Sequence, residues 1–364
     1  MKLDLVRPTL ILDESKCRAN IAFMVEKAKR HGVGLRPHFK THQSHEVGRW
    51  FREAGVTRCT VSSVAMAEYF AADGWNDITV AFPLNQHEAA SIDKLASEIQ
   101  LNLLAVNAEA LQNLDARITH RVGVFVEVDT GYHRTGLDPD EEAGMASIFA
   151  VIDGSRHFDF KGFLSHAGHS YKCRGKRQVE EVHRVDVALH NNLKSKHRAR
   201  YPALISSIGD TPSMSCSDYF NGMDEIRPGN FVFYDLTQVA IGACSKTQVA
   251  VGLACPVVAK YPERNEVILH GGAVHFSKDS LMNADGTTSF GEVFAMDDEW
   301  GVQPKGYLKS ISQEHGIVRC TGDSLGKISI GDFLIVLPVH SCLTADVMKS
   351  YTTMEGVRIE MMRW

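Results

Sequence analysis

The 364-residue chain has 39 lysine and arginine residues against 44 aspartate and glutamate residues, which gives a formal net charge of -5, and 44% of its residues are hydrophobic. This composition is typical of a globular protein with a substantial interior, and without a long basic run it argues against a surface for nucleic acid or anionic membrane. The amino terminus has no apolar segment long enough for a signal peptide, and no window of the chain approaches a membrane span. Eight scattered cysteines without a CxxC pair favour reduced thiols, so we expect a cytoplasmic protein.

Short β-rich runs alternate with helical patterns over the first two thirds of the chain. Several runs are almost continuously apolar, as expected for parallel strands that are buried on both faces. The eight predicted strands are 34–40, 59–64, 77–83, 100–106, 122–129, 158–166, 203–210 and 230–235. The first helical pattern is capped by Asp13 and ended by Gly32. The later helical patterns are 44–54, 64–73, 86–97, 108–118, 141–151 and 177–198.

Eight strands that alternate with helices over about 220 residues predict a (β/α)8 TIM barrel, an α/β fold whose usual size is about 250 residues. A doubly wound open sheet is the alternative. After Thr237, β-branched runs between glycine and aspartate turns predict a second set of strands at 247–261, 266–270, 316–320 and 327–338. We therefore expect a barrel domain over residues 1–240 and a mostly β domain over residues 241–364.

Lys40 ends the first predicted strand, and functional residues of TIM barrels gather at the carboxyl ends of the strands. A lysine that is desolvated there would have a lowered pKa, which suits bond formation with an aldehyde. A solvated lysine at a strand end is the alternative. The residues at the ends of the other predicted strands decide between a desolvated and a solvated Lys40.

Two later strands end in polar loops. The loop VDTGYHRTG supplies Asp129, His133 and Arg134, and the loop SHAGHSY supplies His166, His169 and Tyr171. Two histidines three residues apart suit either a metal site or a polar loop. On the barrel interpretation, both loops lie at the same end of the barrel as Lys40.

The seventh predicted strand runs into SSIGDTPS, where Ser206, Ser207, Gly209 and Thr211 combine hydroxyls with a turn that opens a helix. Backbone N–H groups and hydroxyls at such a turn can bind an anion. Backbone donors from Gly229 and Asn230 could reach the same anion, and phosphate sites after strands 7 and 8 recur in this fold. A lysine opposite a phosphate site predicts a phosphorylated aldehyde cofactor.

The segment PVHSC places His340 two residues before Cys342. In extended backbone the two side chains would share one side and could bind one ion. Imidazole with thiolate suits zinc better than magnesium, and open positions for water or substrate would make the site catalytic. A core cysteine beside a polar histidine is the alternative.

The ordered motifs resemble those of the fold-type III enzymes of pyridoxal 5'-phosphate (PLP), the alanine racemase N-domain superfamily, and within it the D-serine dehydratase and D-threonine aldolase branch. The resemblance covers nearly the whole chain. The motifs are RPHFKTH (36–42), DTGYHRTG (129–136), SHAGHSY (165–171), SSIGDTP (206–212), EIRPGNFVFYD (225–235), SQEHG (312–316) and PVHSC (338–342).

The resemblance implies a role for each candidate residue. Lys40 is implied as the catalytic lysine that binds PLP, Arg134 as the neighbour of its phenolic oxygen, and His166 as the neighbour of its ring. The other implied cofactor-binding residues are Tyr171, Ser207, Gly209, Thr211, Gly229 and Asn230. His340 and Cys342 are implied as ligands of a divalent metal, zinc first and manganese, cobalt or magnesium as alternatives, with His169 as a base or metal neighbour. Arg227 aligns with the racemases' arginine that faces the pyridine nitrogen, a role we do not assign in this branch.

The resemblance also implies an activity. Because the dehydratases carry HxC where the aldolases more often carry HxD, we expect a PLP-dependent lyase that removes water from a D-3-hydroxy amino acid and gives a 2-oxo acid and ammonia. Cleavage to glycine and an aldehyde, as in D-threonine aldolase, is the alternative activity. A non-catalytic protein that binds PLP for its homeostasis is the second alternative. The racemases' catalytic tyrosine has no match. A homodimer is implied.

Overall fold

The computed structural model describes residues 3–296 and 300–363. These residues form two compact units. The first unit comprises the described residues of Met1–Ala22, Thr41–Trp50 and Asn230–Trp364, and the second comprises Phe23–Lys40 and Phe51–Gly229. The sequence domains 1–240 and 241–364 stay a prediction, since the compact units divide the chain at other residues.

The second unit is built on a sheet of eight parallel strands. The strands are Gly34–Leu35, Cys59–Val61, Asp77–Pro83, Gln100–Ala105, Val122–Glu127, Phe158–Leu164, Ile205–Ile208 and Glu225–Ile226. The first strand pairs with the last, and the sheet closes where His38 bridges to Thr60. At this closure the Thr60 carbonyl accepts from Phe39 N–H, and Thr60 N–H donates to the Pro37 carbonyl. The predicted (β/α)8 TIM barrel is confirmed.

Helices connect the barrel strands. They are Val64–Ala72, Ala89–Ala96, Ala108–Asp115, Glu142–Gly154, Lys176–His197 and Thr211–Cys216, with short 3-10 turns at Gln86–Glu88 and Gly168–Lys172, while Glu14–His31 and His45–Glu53 each contribute to both units. Side-chain oxygens of Ser63, Asn107 and Asp210 accept backbone N–H groups at three helix starts. Such caps satisfy donors that a first helical turn leaves without a partner, so the helices begin close to the predicted residues.

One predicted barrel strand is wrong. Residues 230–235 do not form the eighth strand, which is Glu225–Ile226; Asn230–Val232 is a 3-10 turn, and the helix Leu236–Ile241 follows. The run FVFY misled the prediction because Phe231 and Tyr234 are fully buried, and a short apolar run does not distinguish a strand from another buried segment. Asp235 caps the helix by accepting from Gln238 N–H.

The first unit is mostly β, as expected for the carboxy-terminal part of the chain. Its nine-stranded sheet consists of Thr9–Leu12, Val251–Tyr261, Glu266–His270, Gly291–Ala295, Gly306–Ile311, His315–Cys320, Phe333–Pro338, Ser350–Thr353 and Arg358–Glu360. A separate hairpin pairs Leu281–Met282 with Thr288–Ser289, and the helices wholly inside this unit are Leu236–Ile241, Ala273–Phe276 and Ser341–Met348, with 3-10 turns at Asn230–Val232, Lys246–Gln248, Pro262–Arg264 and Ser324–Lys327. The unpredicted strand Thr9–Leu12 joins this sheet by antiparallel pairing with Val251–Tyr261. Within the described part of the chain, no helix combines the length and apolar character needed to cross a bilayer.

A buried ion pair links strands of the barrel. We expect its loss to lower the free energy of unfolding more than the loss of a surface ion pair does. The side chains of Arg36 and Glu225 are 4% and 1% exposed and lie 2.8 Å apart, and Arg36 also contacts Asp77 at 2.6 Å. Replacing Arg36 with methionine should cost about 3–5 kcal/mol, since it leaves the buried carboxylate without its main partner. Arg58 is the matched control: it lies 3.6 Å from the same carboxylate but is 41% exposed, so Arg58→Met should cost under about 1 kcal/mol. Denaturant unfolding measures both, and equal losses would contradict the prediction.

Candidate active site and metal site

Lys40 lies in the turn that follows the bridging residue His38, and its backbone N–H is 3.3 Å from Nδ1 of His38. Burial lowers the pKa of His38 well below its ordinary value, and the charges of Lys40 and Arg227 add to that effect. Lys40 itself is exposed, so the desolvation expected from the sequence is not observed. The turn therefore presents an accessible primary amine beside a neutral imidazole.

His166 follows the strand Phe158–Leu164, and its Nδ1 donates to the Gly209 carbonyl at 2.7 Å. Burial lowers the pKa of His166 to about 3, and the positive charges of Lys40 and Arg134 act in the same direction. The ring is thus neutral at pH 7 with its acceptor nitrogen at Nε2. Tyr132 and Tyr171 lie near it, with ring centroids 5.9 and 6.3 Å away.

The DTGYHR loop is organised by the carboxylate of Asp129. Backbone N–H groups of Gly131, Tyr132 and His133 donate to it, and although partial burial raises the pKa of Asp129, these hydrogen bonds hold it below its ordinary value. Asp129 therefore shapes the loop. The exposed Arg134 lies over the Tyr132 ring, with its guanidinium carbon 5.3 Å from the ring centroid, so the loop presents a positive charge there.

His169 lies in the 3-10 turn Gly168–Lys172, and its ring is 6.5 Å from that of Tyr132. Burial lowers its pKa, partly opposed by the charge of Asp129. Its Nδ1 is buried and has no hydrogen-bond partner among the described residues. The ring is therefore neutral at pH 7 and can accept a proton.

The predicted phosphate turn opens the helix Thr211–Cys216. A side chain at Gly209 would place Cβ 2.8–2.9 Å from backbone and side-chain atoms of Arg227, so only glycine allows this close approach. Asp210 caps the helix, and the Thr211 N–H lies 3.5 Å from the hydroxyl of Tyr171. Gly209, Thr211 and Tyr171 are thus brought together at a helix start, a geometry that favours an anion.

The hydroxyl of Ser207 is not available to that anion. It donates to Glu225 at 2.7 Å and accepts from Nε of Arg227 at 2.7 Å. The buried Arg227 also donates through Nη2 to the carbonyls of Ser165 and Ser207. Ser207 and Arg227 therefore connect neighbouring strands inside the barrel. A contact of Ser207 with PLP stays a prediction, and it would have to use an atom other than the side-chain hydroxyl.

His340 and Cys342 lie at the start of the helix Ser341–Met348, with His340 at the cap position and Cys342 in the first turn. The expected continuous extended backbone is wrong, because the helix begins between the two residues. Their side chains nevertheless hydrogen-bond each other. Burial raises the pKa of the Cys342 thiol, but the hydrogen bond and charge of His340 outweigh it and give a net lowering.

Two further groups support the Cys342 sulfur. The Thr41 hydroxyl is 3.2 Å from Sγ, and Nδ2 of Asn230 donates to it at 3.4 Å. The Asn230 amide also donates to Asp235, which accepts from Ser341 N–H at 3.0 Å. The side chain of Asn230 thus serves the cysteine, whereas a role of Gly229 and the Asn230 backbone in binding PLP stays a prediction.

The sequence reasoning missed Thr41, Asp235 and Asp279, whose Oδ2 lies 3.0 Å from Nδ1 of His340. None of them has a distinctive spacing from the HxC pair, because Asp279 precedes His340 by 61 residues and Thr41 precedes Cys342 by 301. Only the fold identifies these supporting residues.

The residues fit the groups that the motifs imply. An accessible amine, a neutral imidazole and a helix start that favours an anion match the aldehyde, ring and phosphate of PLP. For the metal, a thiol with a lowered pKa beside an imidazole is a donor set that suits zinc, and two protein ligands leave positions open for water or substrate.

Two family models match the chain. The alanine racemase N-terminal domain matches residues 12–236, and the "Putative serine dehydratase domain" matches residues 250–354. Together they account for most of the chain.

Curated relatives match over nearly their whole length. D-serine dehydratase of Dictyostelium discoideum is 30% identical, covering 94% of this chain and 92% of that protein, and D-threo-3-hydroxyaspartate dehydratase of Delftia sp. strain HT23 is 29% identical over 96% and 94%. D-threonine aldolase of Arthrobacter sp. is 25% identical over 92% and 85%.

The solved structure of the Delftia dehydratase covers 99% of this chain and 98% of its own at a TM-score of 0.91 and 26% identity. A cysteine-to-alanine mutant of D-threo-3-hydroxyaspartate dehydratase, described as metal-free, matches equally well, with a TM-score of 0.91, 26% identity and full coverage of both chains.

Proposed function

The chain belongs to the alanine racemase N-terminal domain family, a family of PLP-dependent enzymes, and on this premise we propose that it is a lyase that removes water from a D-3-hydroxy amino acid. The products would be a 2-oxo acid and ammonia. D-serine is the first candidate substrate, followed by D-threonine and D-3-hydroxyaspartate. Two relatives named dehydratases have 30% and 29% identity, against 25% for the aldolase, which supports dehydration ahead of aldol cleavage.

One observation carries the proposal: His340 and Cys342 lie together at the start of the helix Ser341–Met348, where Thr41 and Asn230 contact the cysteine sulfur. We assign these two residues as the ligands of a divalent metal, zinc before manganese, cobalt or magnesium. The metal-free mutant of the dehydratase relative supports a metal in the family. When bound, the ion would polarise the substrate hydroxyl, which leaves in a dehydration.

The remaining roles fall to residues of the barrel unit. We assign to the amine of Lys40 the binding of PLP and the removal of the α-proton. The neutral ring of His166 would pack beside the cofactor ring without adding charge, and Gly209, Thr211 and Tyr171 would bind the phosphate. When bound, PLP would supply the electron sink for negative charge at Cα.

Aldol cleavage remains the second candidate because of one specific observation. The buried Nδ1 of His169 has no hydrogen-bond partner among the described residues, and its lowered pKa keeps the ring neutral. It could therefore take the proton of the substrate hydroxyl, which is the first step of cleavage to glycine and an aldehyde.

The non-catalytic alternative is disfavoured, because the proteins of that class resemble the barrel alone, whereas this chain continues into a serine dehydratase domain over residues 250–354. We further propose a homodimer, on the basis of the family resemblance, and a cytoplasmic location, on the basis of cysteine usage. Gel filtration that gives a monomer would contradict the dimer.

The product assay separates the two reactions. PLP-loaded protein is incubated with D-serine, D-threonine and D-3-hydroxyaspartate, with and without a chelator, and 2-oxo acid, ammonia, glycine and aldehyde are measured separately. We expect ammonia and 2-oxo acid without glycine, and loss of both with the chelator. Glycine with aldehyde would instead support the aldolase, and no product from any substrate would contradict both.

A further inference from the structure

Asp279 lies beside the proposed metal ligand His340, with its Oδ2 3.0 Å from Nδ1 of the ring. A carboxylate can only accept, so Nδ1 carries the proton and donates it to Asp279. With its Nδ1–H donated to Asp279, the ring leaves Nε2 as the nitrogen for a metal. This is the arrangement by which carboxylates orient metal-binding histidines in other proteins.

The loop that carries Asp279 is held in an unusual conformation. Ser277 has φ 73° and ψ -172°, a backbone that residues other than glycine rarely adopt. Its hydroxyl lies 3.1 Å from Asp279 Oδ2, and Asp279 N–H lies 3.3 Å from the same hydroxyl. The strained turn thus fixes the direction of the carboxylate.

The histidine side of the contact is fixed to the same loop. The hydroxyl of Thr344 lies 3.2 Å from the Phe276 carbonyl and 3.1 Å from the His340 carbonyl. Thr344 is fully buried, so these hydrogen bonds are protected from water. The loop that bears Asp279 and the helix start that bears His340 are therefore held in one geometry.

We propose that Asp279 is a positioning residue that orients His340 toward the divalent metal, an inference that rests on the proposed function of His340 and Cys342. Asp279 is not needed as a ligand in this role. It fixes which ring nitrogen holds the proton and how the ring is rotated.

In a second group of possible metal ligands, one histidine does not have its Nε2 lone pair left for a metal. His270, His275 and Glu314 bring their ligand atoms within 4.8 Å of one another. However, Gly272 N–H donates to Nδ1 of His275 at 3.2 Å, so the proton of the neutral ring is on Nε2, the atom 3.8 Å from Glu314. Binding a metal there would require breaking the hydrogen bond from Gly272, and His275 therefore serves as a control.

The test measures metal affinity and geometry directly. Full-length PLP-loaded protein is freed of metal and titrated with Co²⁺ against a competing chelator, while the thiolate-to-cobalt and d–d absorbance bands are recorded. We expect Asp279→Ala to weaken Co²⁺ binding about 10–100-fold and to change the d–d bands. Asp279→Asn should lose less, because its amide oxygen can still accept from Nδ1.

The controls are Lys278→Ala, in the same loop, and His275→Ala, in the other group, and both should bind Co²⁺ as the wild type does. Wild-type affinity and spectrum in Asp279→Ala would overturn the inference while leaving the metal site intact. If Cys342→Ala instead gives the same Co²⁺ spectrum as the wild type, the metal assignment is overturned, and with it the inference. Circular dichroism of each variant identifies any that fails to fold, and Asp279→Asn then provides the comparison.

Discussion

Replacing Lys40 with alanine is expected to abolish covalent binding of PLP and to lower kcat by at least about 10³-fold, since one amine would serve as both anchor and general base. Its exposed position leaves it accessible to an aldehyde. Two measurements check the prediction without relying on turnover. Borohydride treatment followed by mass spectrometry should place a PLP adduct on Lys40 of the wild type, and the absorbance band of the bound cofactor should be absent from the variant.

Lys172 provides the control, because it is a second lysine close to a proposed site residue: it lies in the turn Gly168–Lys172, and its charge acts on the proposed base His169. Lys172→Ala should keep the cofactor band and the adduct on Lys40. An adduct on another lysine of the wild type, or a band that survives in Lys40→Ala, would show that Lys40 is not the anchor.

The barrel was predictable because burial on both faces leaves a direct trace in the sequence. All six residues of Val122–Glu127 are buried, and this segment reads as an almost unbroken apolar run. The helices were predictable because their caps and apolar periods are local. The same logic failed at residues 230–235, where the buried side chains of Phe231 and Tyr234 produce a strand-like pattern in a turn.

Long-range pairing is what the sequence could not supply. The strand Thr9–Leu12 pairs with Val251–Tyr261, a partner about 240 residues away, and no local pattern specifies such a register. Lys40 and Cys342 could be proposed from the sequence because both lie in motifs that resemble those of a known family in their order along the chain. Asp279 was not, because its only relation to His340 is spatial.

The fate of Ser207 shows a different limit. Its position in SSIGDTP predicts an anion contact, but its hydroxyl lies between Glu225 and Arg227. A motif fixes the residue type and the backbone position, whereas the direction of a hydroxyl depends on neighbours from other strands. Buried polar groups are satisfied first, so the hydroxyl completes the network around Arg227.

The second large effect is expected at the metal site. Cys342→Ala should remove the bound divalent metal and lower dehydratase activity by about 10²-fold or more, because a metal held by one imidazole loses half of its protein ligands. Metal content after dialysis, measured by mass spectrometry, reports the loss independently of turnover. Cys173→Ala is the matched control, since burial raises the pKa of that thiol and no ligand role is assigned to it.

Cys342→Asp tests what the thiolate contributes. A carboxylate can still bind a divalent metal, so we expect metal content to recover while the preference moves from zinc toward manganese or magnesium. If the soft sulfur sets the choice of metal, the wild type and Cys342→Asp will differ in which metal restores activity. Equal metal preference in the wild type and Cys342→Asp would mean that the geometry around His340, including its contact with Asp279, sets the selectivity instead.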